Sequence, residues 1–467
     1  MAAAAQAAHA PSLKQHHEDG ATADTHALSA RLDALENAKR HFARFLRNED
    51  LGAILVQKQA ESSGDSKSAH LGPESRYGEP PLLLLHDDTV RDALASLAAR
   101  GVLSAPVVGE TWVLERWAFG NNMPGTAAAS VTPEGQPLGE LTYFGFIDVF
   151  DIVGALCAAT RQNANANLSH KQWTELLKGS VGQAFLNRRV LDTLGHDGDL
   201  LWRGFTRDRS IFDACNHGLL SVQPHSSTGR TPAGVASHRC AIFDVRGRVT
   251  DVISQSDILH WILENSGELG VLATAKISEL KLGSTGVISV PASVPVVDAF
   301  ARLHASGKPC LAVVDDDTGA LLSNLSASDL RGVSAAHLEA LAMPTGQYLA
   351  LTHGLQYGRY TWKVAETGED GLDLGFEGMG IARDTITRLP IVMRREAHDA
   401  VSCGQDTTLL HVMELLSRKN VHHVYVCDSA NKPMAVISIG DVLRCVCGGS
   451  SDNNAPEPGA GNAITNV

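Results

Sequence analysis

Long apolar runs are missing from this chain. Nothing approaches the roughly 20 consecutive residues that span a bilayer as a helix, and the longest candidates are short strings such as Leu82 to Leu85. A membrane-spanning helix is therefore excluded and a soluble chain is expected. Positive charge is in deficit, with 39 Lys and Arg against 52 Asp and Glu and a formal net charge of −13. Nucleic acid or an anionic membrane surface is thus a poor main partner, although a local basic pocket remains open. Aromatics make up only 5% of the residues. The eight cysteines form no Cys-x-x-Cys pair, so reduced, buried thiols are expected, in the cytoplasm and also the nucleus. Cys445 and Cys447 have no second pair or nearby His at ligand spacing to complete a zinc site. The N-terminal stretch has neither the leading positive charge nor the Leu-rich segment of a secretory signal, and Glu18, Asp19 and Asp24 argue against an organellar transit peptide. No G-x-x-x-x-G-K-[ST] loop, G-x-G-x-x-G turn, H-E-x-x-H or G-x-S-x-G occurs.

What is present is length and repetition. The 467 residues, 44% of them hydrophobic, suffice for two to four domains with a large core. Residues 1–75, rich in Ala, His, Ser and Gly, read as a mostly disordered tail with one helix, on which Leu28, Leu32, Leu35, Ala38 and Phe42 share a face. Residues 448–467 read as a second disordered tail.

Between the tails a unit recurs four times: amphipathic helix, apolar strand, turn, second apolar strand, polar step, helix. The upstream helices are marked by Val90, Ala93, Leu94 and Leu97; by Phe212, Cys215 and Leu219; by Val296, Phe300 and Leu303; and by Leu409, Val412, Met413 and Leu416. The first strands run through 105–108, 240–243, 311–314 and 424–426. The polar steps end on Asp151, Asp257, Asp329 and Asp441, each with an oxygen side chain three residues earlier: Asp148, Ser254, Ser326 and Ser438. The units occupy 76–160, 175–265, 274–335 and 394–447, with 336–393 as an insertion. Further loop insertions near 109–139 and 222–236 cost little, because closure entropy grows only logarithmically with length. The Asp315-Asp316-Asp317-Thr318-Gly319 run has Ser326 rather than Glu at the twelfth position of a calcium loop, so it reads as a hairpin turn.

Ser-x-x-Asp before a helix has two chemical readings. As a capping box it satisfies orphan backbone N–H groups. As a ligand site it gathers a hydroxyl, free N–H groups and a carboxylate at the positive end of a helix. That end attracts phosphate, and the carboxylate can accept from both hydroxyls of a ribose. Recurrence on the same strand-to-helix step makes coincidence a poor account of the pattern.

The chain from about 80 to 447 resembles the cystathionine beta-synthase (CBS) repeats that pair into Bateman modules. Its four-repeat arrangement is similar to the gamma subunit of AMP-activated, or Snf1-type, protein kinases. The resemblance is most specific in Lys276-Ile277-Ser278-Glu279-Leu280-Lys281-Leu282-Gly283 through Pro295-Val296, and in Val421 to Val426 and Val436 to Leu443. It implies an α+β fold of four CBS repeats paired as two Bateman modules, the first with the second and the third with the fourth, stacked together. It also implies adenosine nucleotides (AMP, ADP or ATP) between paired repeats. Asp151, Asp257, Asp329 and Asp441 then match the ribose position. Ser254, Ser326 and Ser438 match the adjoining hydroxyl, and His238, Arg239, His422 and His423 the phosphate-reaching pair. Asp148, Leu103-Ser104 and His423 depart from the family pattern, which weakens the first-repeat site above all. The implied function is a non-catalytic regulatory subunit with no cofactor, whose partners are the nucleotides and a kinase's catalytic and scaffold subunits. The competing reading is an interaction scaffold that keeps the fold and has lost the ligand.

Overall fold

A computed structural model describes residues 13–62, 81–110, 141–161, 168–193, 205–220, 238–245, 248–306, 308, 310–360 and 400–447. The insertions expected near 109–139 (beyond Glu110) and 222–236, the stretch 361–393 and the tail 448–467 lie outside these residues.

Two helices open the described chain, α1 (Leu13–Asn48) and α2 (Leu51–Ser62). The first unit comprises β1 (Leu84–Leu85), α3 (Val90–Arg100), β2 (Ser104–Glu110), β3 (Leu141–Asp148) and α4 (Val149–Arg161). Three short helices follow, α5 (His170–Lys178), α6 (Ser180–Leu186) and α7 (Val190–Thr193). The second unit holds α8 (Ile211–Ala214), which runs into a π turn over Cys215–Leu219, then β4 (Arg239–Phe243), β5 (Val249–Ser254) and α9 (Gln255–Glu264). The third holds β6 (Ser284–Thr285), β7 (Ser289–Pro291), α10 (Val296–Ser306), β8 (Cys310–Val314) and β9 (Leu321–Ser326), and closes on a single 3-10 turn, Ala327–Leu330. After a 3-10 segment at Ala335–Ala342 come α11 (Thr345–His353) and the fourth unit: β10 (Ser402–Cys403), α12 (Leu409–Arg418), β11 (His423–Cys427), β12 (Pro433–Ser438) and α13 (Ile439–Cys447).

Local chemistry explains where these helices start. Thr89, Ser210 and Thr408 are N-caps whose hydroxyls accept from the N–H of Asp92, Asp213 and His411, each cap worth about 1 kcal/mol. The residues expected to face the core of α3, Val90, Ala93, Leu94 and Leu97, are its buried set, and the same holds for α12. In every unit the central hairpin is antiparallel, and each carries a register shift after the fourth residue of its first strand: Val107/Val108, Ile242/Phe243, Val313/Val314 and Val426/Cys427. A bulge sharpens local twist, so its fourfold recurrence gives all hairpins one shape. A leading strand pairs in parallel in units one, three and four. In unit two it shrinks to a bridge between Phe205 and Ile242.

No unit can cover both faces of its small sheet alone. The sheets of units one and two meet through Tyr143 and Phe243, whose rings lie 5.4 Å apart edge to face. Those of three and four meet where the Tyr425 hydroxyl donates to Asn324 at 2.7 Å and the Leu321 N–H donates to the Asn431 carbonyl at 2.9 Å. The expected pairing into two modules is therefore present. The two largest apolar clusters run the other way, one joining units one and three and the other joining two and four. Sheets and helices together close a ring of contacts among the four units.

Three boundaries differ from expectation. The 1–75 segment holds two helices rather than one. Phe42, Leu46, Leu51, Ile54 and Leu55 are buried in the two–four core, Phe45 stacks on Trp261 at 5.5 Å, and Arg31 pairs with Glu279. Residues 175–193, assigned to unit two, complete unit one instead: Leu177, Phe185, Leu186 and Val190 lie in the one–three core, and Val190 N donates to the Asp88 carbonyl. Residues 336–353 are not a linker, because Leu338, Leu341, Tyr348 and Leu349 are core of that same body.

Helix α4 crosses α10 closely at Gly154, where an added Cβ would lie 2.2 Å from Cδ2 of His304. Gly154→Ala is expected to cost about 1–3 kcal/mol through overpacking, read as a lowered urea midpoint. The double variant Gly154→Ala with His304→Ala should recover part of that loss, and no recovery would remove this explanation.

Candidate functional site

Hairpin register builds the site. In each unit the first residue of the first strand pairs with the residue that precedes the exit helix: Ser104 with Asp148, Arg239 with Ser254, Cys310 with Ser326, and His423 with Ser438. The preceding carbonyl then accepts from the first residue of the following helix, Leu103 from Val149, His238 from Gln255 and His422 from Ile439, at 2.8 to 3.1 Å. These bonds hold the strand entrance against the helix start. The four steps converge on one open cleft of about 560 Å³, its mouth included, lined among others by Leu103, Asp148, His238, Arg239, Ser254, Ser326, Ser328, His422, His423 and Ser438.

Seven of the eleven residues expected to bind nucleotide thus meet in one place: His238, Arg239, Ser254, Ser326, His422, His423 and Ser438. The carboxylates of Asp257, Asp329 and Asp441 stand behind this lining, and Asp151 is exposed on the first turn of α4. In the last three units the capping chemistry is formed. Oδ2 of Asp257 accepts from the N–H and hydroxyl of Ser254 at 2.7 and 2.8 Å. Asp329 does so from Ser326 at 2.7 and 3.3 Å, and Asp441 from Ser438 at 2.8 and 2.7 Å. Each carboxylate therefore spends one oxygen on its helix cap, and its surroundings decide what else it can do.

Those surroundings differ. Asp257 also takes the ammonium of Lys58 from α2, at 2.9 Å. Asp329 presents Oδ1 to Nε2 of His353 from α11 at 2.8 Å, and Nδ1 of that ring meets the Tyr357 hydroxyl at 2.7 Å. Asp441 pairs with a residue of its own helix, Arg444, whose guanidinium lies 3.3 Å from Oδ1. In the first unit Asp148 replaces the serine: its Oδ1 accepts from Phe150 N at 2.7 Å, and its Oδ2 faces Arg239 of the second unit at 3.3 Å. Lys58 and His353 were invisible to motif reading, since neither belongs to a repeated step. The spacing of Leu51, Ile54 and Leu55 was the one signal that α2 packs against the body.

The cleft holds its histidines in different states. His422 is half-buried, with Nδ1 3.3 Å from the Ser328 hydroxyl. His423 is buried, as strand alternation requires of one member of the pair. Burial pushes the His423 pKa well below the ordinary range, with neighbouring His422 and His238 adding to the effect and Asp329 opposing it. His423 is thus a neutral ring that an incoming anion would help to protonate. Among the described residues no group of three or more His, Cys, Asp or Glu is placed to hold a metal ion, and no helix is long and apolar enough to cross a membrane.

Residues 382–448 match the CBS domain model. Protein SDS23 of Podospora anserina is 28% identical over 138 residues, which cover 28% of this chain and 27% of that protein. Protein SDS23 of Pyricularia oryzae is 26% identical over 166 residues, covering 33% and 31%. The chain spans less than a third of the length of these curated relatives in the matched regions. The solved structure of protein MJ1225 from Methanocaldococcus jannaschii aligns over 79% of this chain and 96% of its own, at 15% identity and a TM-score of 0.45.

Because His423 titrates near pH 6.5 once unfolded and well below that when folded, the unfolded chain binds more protons as pH falls. Its contribution to stability is complete above about pH 6.5 and declines below it. Burial lowers His304 in the same sense. Urea midpoints should hold steady from about pH 8 to 7 and fall toward pH 5. His423→Gln should flatten that decline, by about 1.4 kcal/mol for each pKa unit of separation removed. An unchanged slope in His423→Gln would assign the pH dependence elsewhere.

Proposed function

We propose that this CBS-domain chain, whose four repeats pair as two Bateman modules, is a non-catalytic regulatory subunit that binds an adenosine nucleotide (AMP, ADP or ATP) in the central cleft and controls a protein-kinase partner. The observation that carries the reading is the convergence of Arg239, His238, His422 and His423 with the hydroxyls of Ser254, Ser326, Ser328 and Ser438 on one cleft. A protein with net charge −13 has here gathered an arginine, three imidazoles and hydroxyl groups at the starts of its exit helices, where anions are stabilised.

In this reading the phosphates lie against Arg239 and the two histidines of the fourth repeat, and the ribose hydroxyls reach Asp441. Arg239 supplies a planar fork suited to a phosphate. Asp148 competes with the ligand for that guanidinium. Control of a partner requires that the nucleotide bind one arrangement of the modules more tightly than another, and the shared helix clusters provide a route between them. Catalytic and scaffold subunits of an Snf1-type kinase are the proposed partners, by the resemblance of the repeats. The free state of all eight cysteines supports action in the cytoplasm and nucleus. The scaffold reading keeps one specific observation in its favour, the Lys58 and His353 side chains already seated on Asp257 and Asp329.

Calorimetric titration with AMP, ADP and ATP tests binding, with dissociation constants expected in the micromolar range, about −8 kcal/mol. Arg239→Ala should weaken binding about tenfold, or ~1.4 kcal/mol, while Asp148→Asn should strengthen it. Asp441→Asn keeps an acceptor for the cap and removes the charge, so it should lower affinity with little change in melting temperature. Absence of heat and of any melting shift at millimolar nucleotide would leave the scaffold reading. Failure of the chain to assemble with the purified kinase subunits would remove the kinase partner alone.

A further inference from the structure

The carboxylates of the repeated step are not equally available. Lys58 reaches Asp257 from outside the second repeat, its ammonium also donating to the Val252 carbonyl at 3.2 Å. The two side chains are 9% and 7% exposed. His353 reaches Asp329 from outside the core of the third repeat, with side chains 7% and 1% exposed. Asp441 is 22% exposed and its partner Arg444 is 42% exposed.

The two occupied sites are built alike. A bridge joins Asp50 to Ser210 at the start of the second repeat, and another joins Pro295 to Pro344 at the start of the third. A helix follows each bridge, α2 after Asp50 and α11 after Pro344. Just over two turns further on, each helix delivers a basic side chain to the carboxylate of the same repeat. The Tyr348 hydroxyl, also on α11, donates to the Asp329 carbonyl at 2.8 Å, which seats that helix over the step.

We propose that Lys58 and His353 are internal occupants of the ribose carboxylates of the second and third repeats, so that one chain takes one nucleotide, at Asp441. This rests on the nucleotide-binding reading above and specifies its site. Ribose hydroxyls are neutral donors. To reach Asp257 they would have to open a buried pair whose Oδ2 carries both the helix cap and the Lys58 ammonium, and separating such a pair is strongly unfavourable. At Asp329 they would have to break a hydrogen-bonded Asp–His–Tyr chain that packing already holds. At Asp441 they meet a half-buried carboxylate beside a solvent-exposed guanidinium. The first repeat offers Asp151, but Asp148 stands at the hydroxyl position and repels phosphate.

Titration of the full-length chain with AMP, repeated with ATP, should give one equivalent. Hydrogen exchange on the same wild-type protein should show nucleotide protection of amides across 436–443 and none across 257–262, behind the cleft lining. Lys58→Met should raise the stoichiometry to two, Lys58→Arg should keep it at one, and Lys58→Met with Asp257→Asn should return it to one. Circular dichroism establishes that each variant folds; should Lys58→Met not fold, the wild-type exchange map decides. Two or more equivalents in the wild type, protection across 257–262, or a single equivalent in folded Lys58→Met would overturn this assignment while leaving nucleotide binding intact. Absence of binding in wild type and Lys58→Met alike would overturn both.

Discussion

The structure depends on how the backbone N–H groups at the start of each exit helix are satisfied. A strand that turns directly into a helix leaves such donors unpaired; in three repeats a carboxylate oxygen of the Asp accepts from the N–H of the Ser three residues earlier, and in the second and fourth the serine hydroxyl accepts from the Asp N–H. That bond fixes the angle between strand and helix. Once the angle is fixed, hairpin register places the opposing residue, Arg239, Cys310 or His423, beside the helix start. The cleft is the sum of these local solutions brought to a common centre.

Pairing then follows from surfaces that no repeat can cover alone. Sheet contacts join first to second and third to fourth, while helices bury their apolar faces across the modules. Gly154 shows how close that second contact is, because α4 can approach His304 only where a side chain is missing. The central site therefore sits where both kinds of contact meet. A change in module packing has a direct mechanical path to Arg239, which already spans two repeats through Asp148.

Much of this was legible in the sequence because period and capping are local properties. Val90, Ala93, Leu94 and Leu97 declare the buried face of α3, and the Asp315 to Gly319 turn declares its hairpin: Asp315 accepts from Thr318 N at 2.9 Å and Gly319 takes a positive φ of 71°. The convergence of seven of the eleven named site residues was legible by resemblance, since the repeats share one step. What stayed hidden is what distant segments do. Lys58 lies in a stretch whose composition reads as a tail, and nothing in its neighbours announces a carboxylate two hundred residues away. The hydrophobic stretch 338–349 falls between recognisable repeats, where motif reading does not reach, yet its residues are among the most deeply buried of those described. The second repeat's first helix is short, and its turn of π helix at Cys215–Leu219 moves Phe212 to a half-buried position that simple periodicity assigns to the core.

The core shared by the second and fourth repeats draws on Leu35 to Leu55 near one end of the chain and on Leu409 to Cys447 near the other. Contacts of such long sequence separation form late, because the intervening loop must close before they return any stabilisation. During synthesis the first and third repeats can consolidate their own core once residues up to about 360 have emerged. The N-terminal helices must wait for the last repeat before they have a complete surface to rest on. The two halves of the ring thus mature at different times, and the half that carries Asp441 is the one finished last.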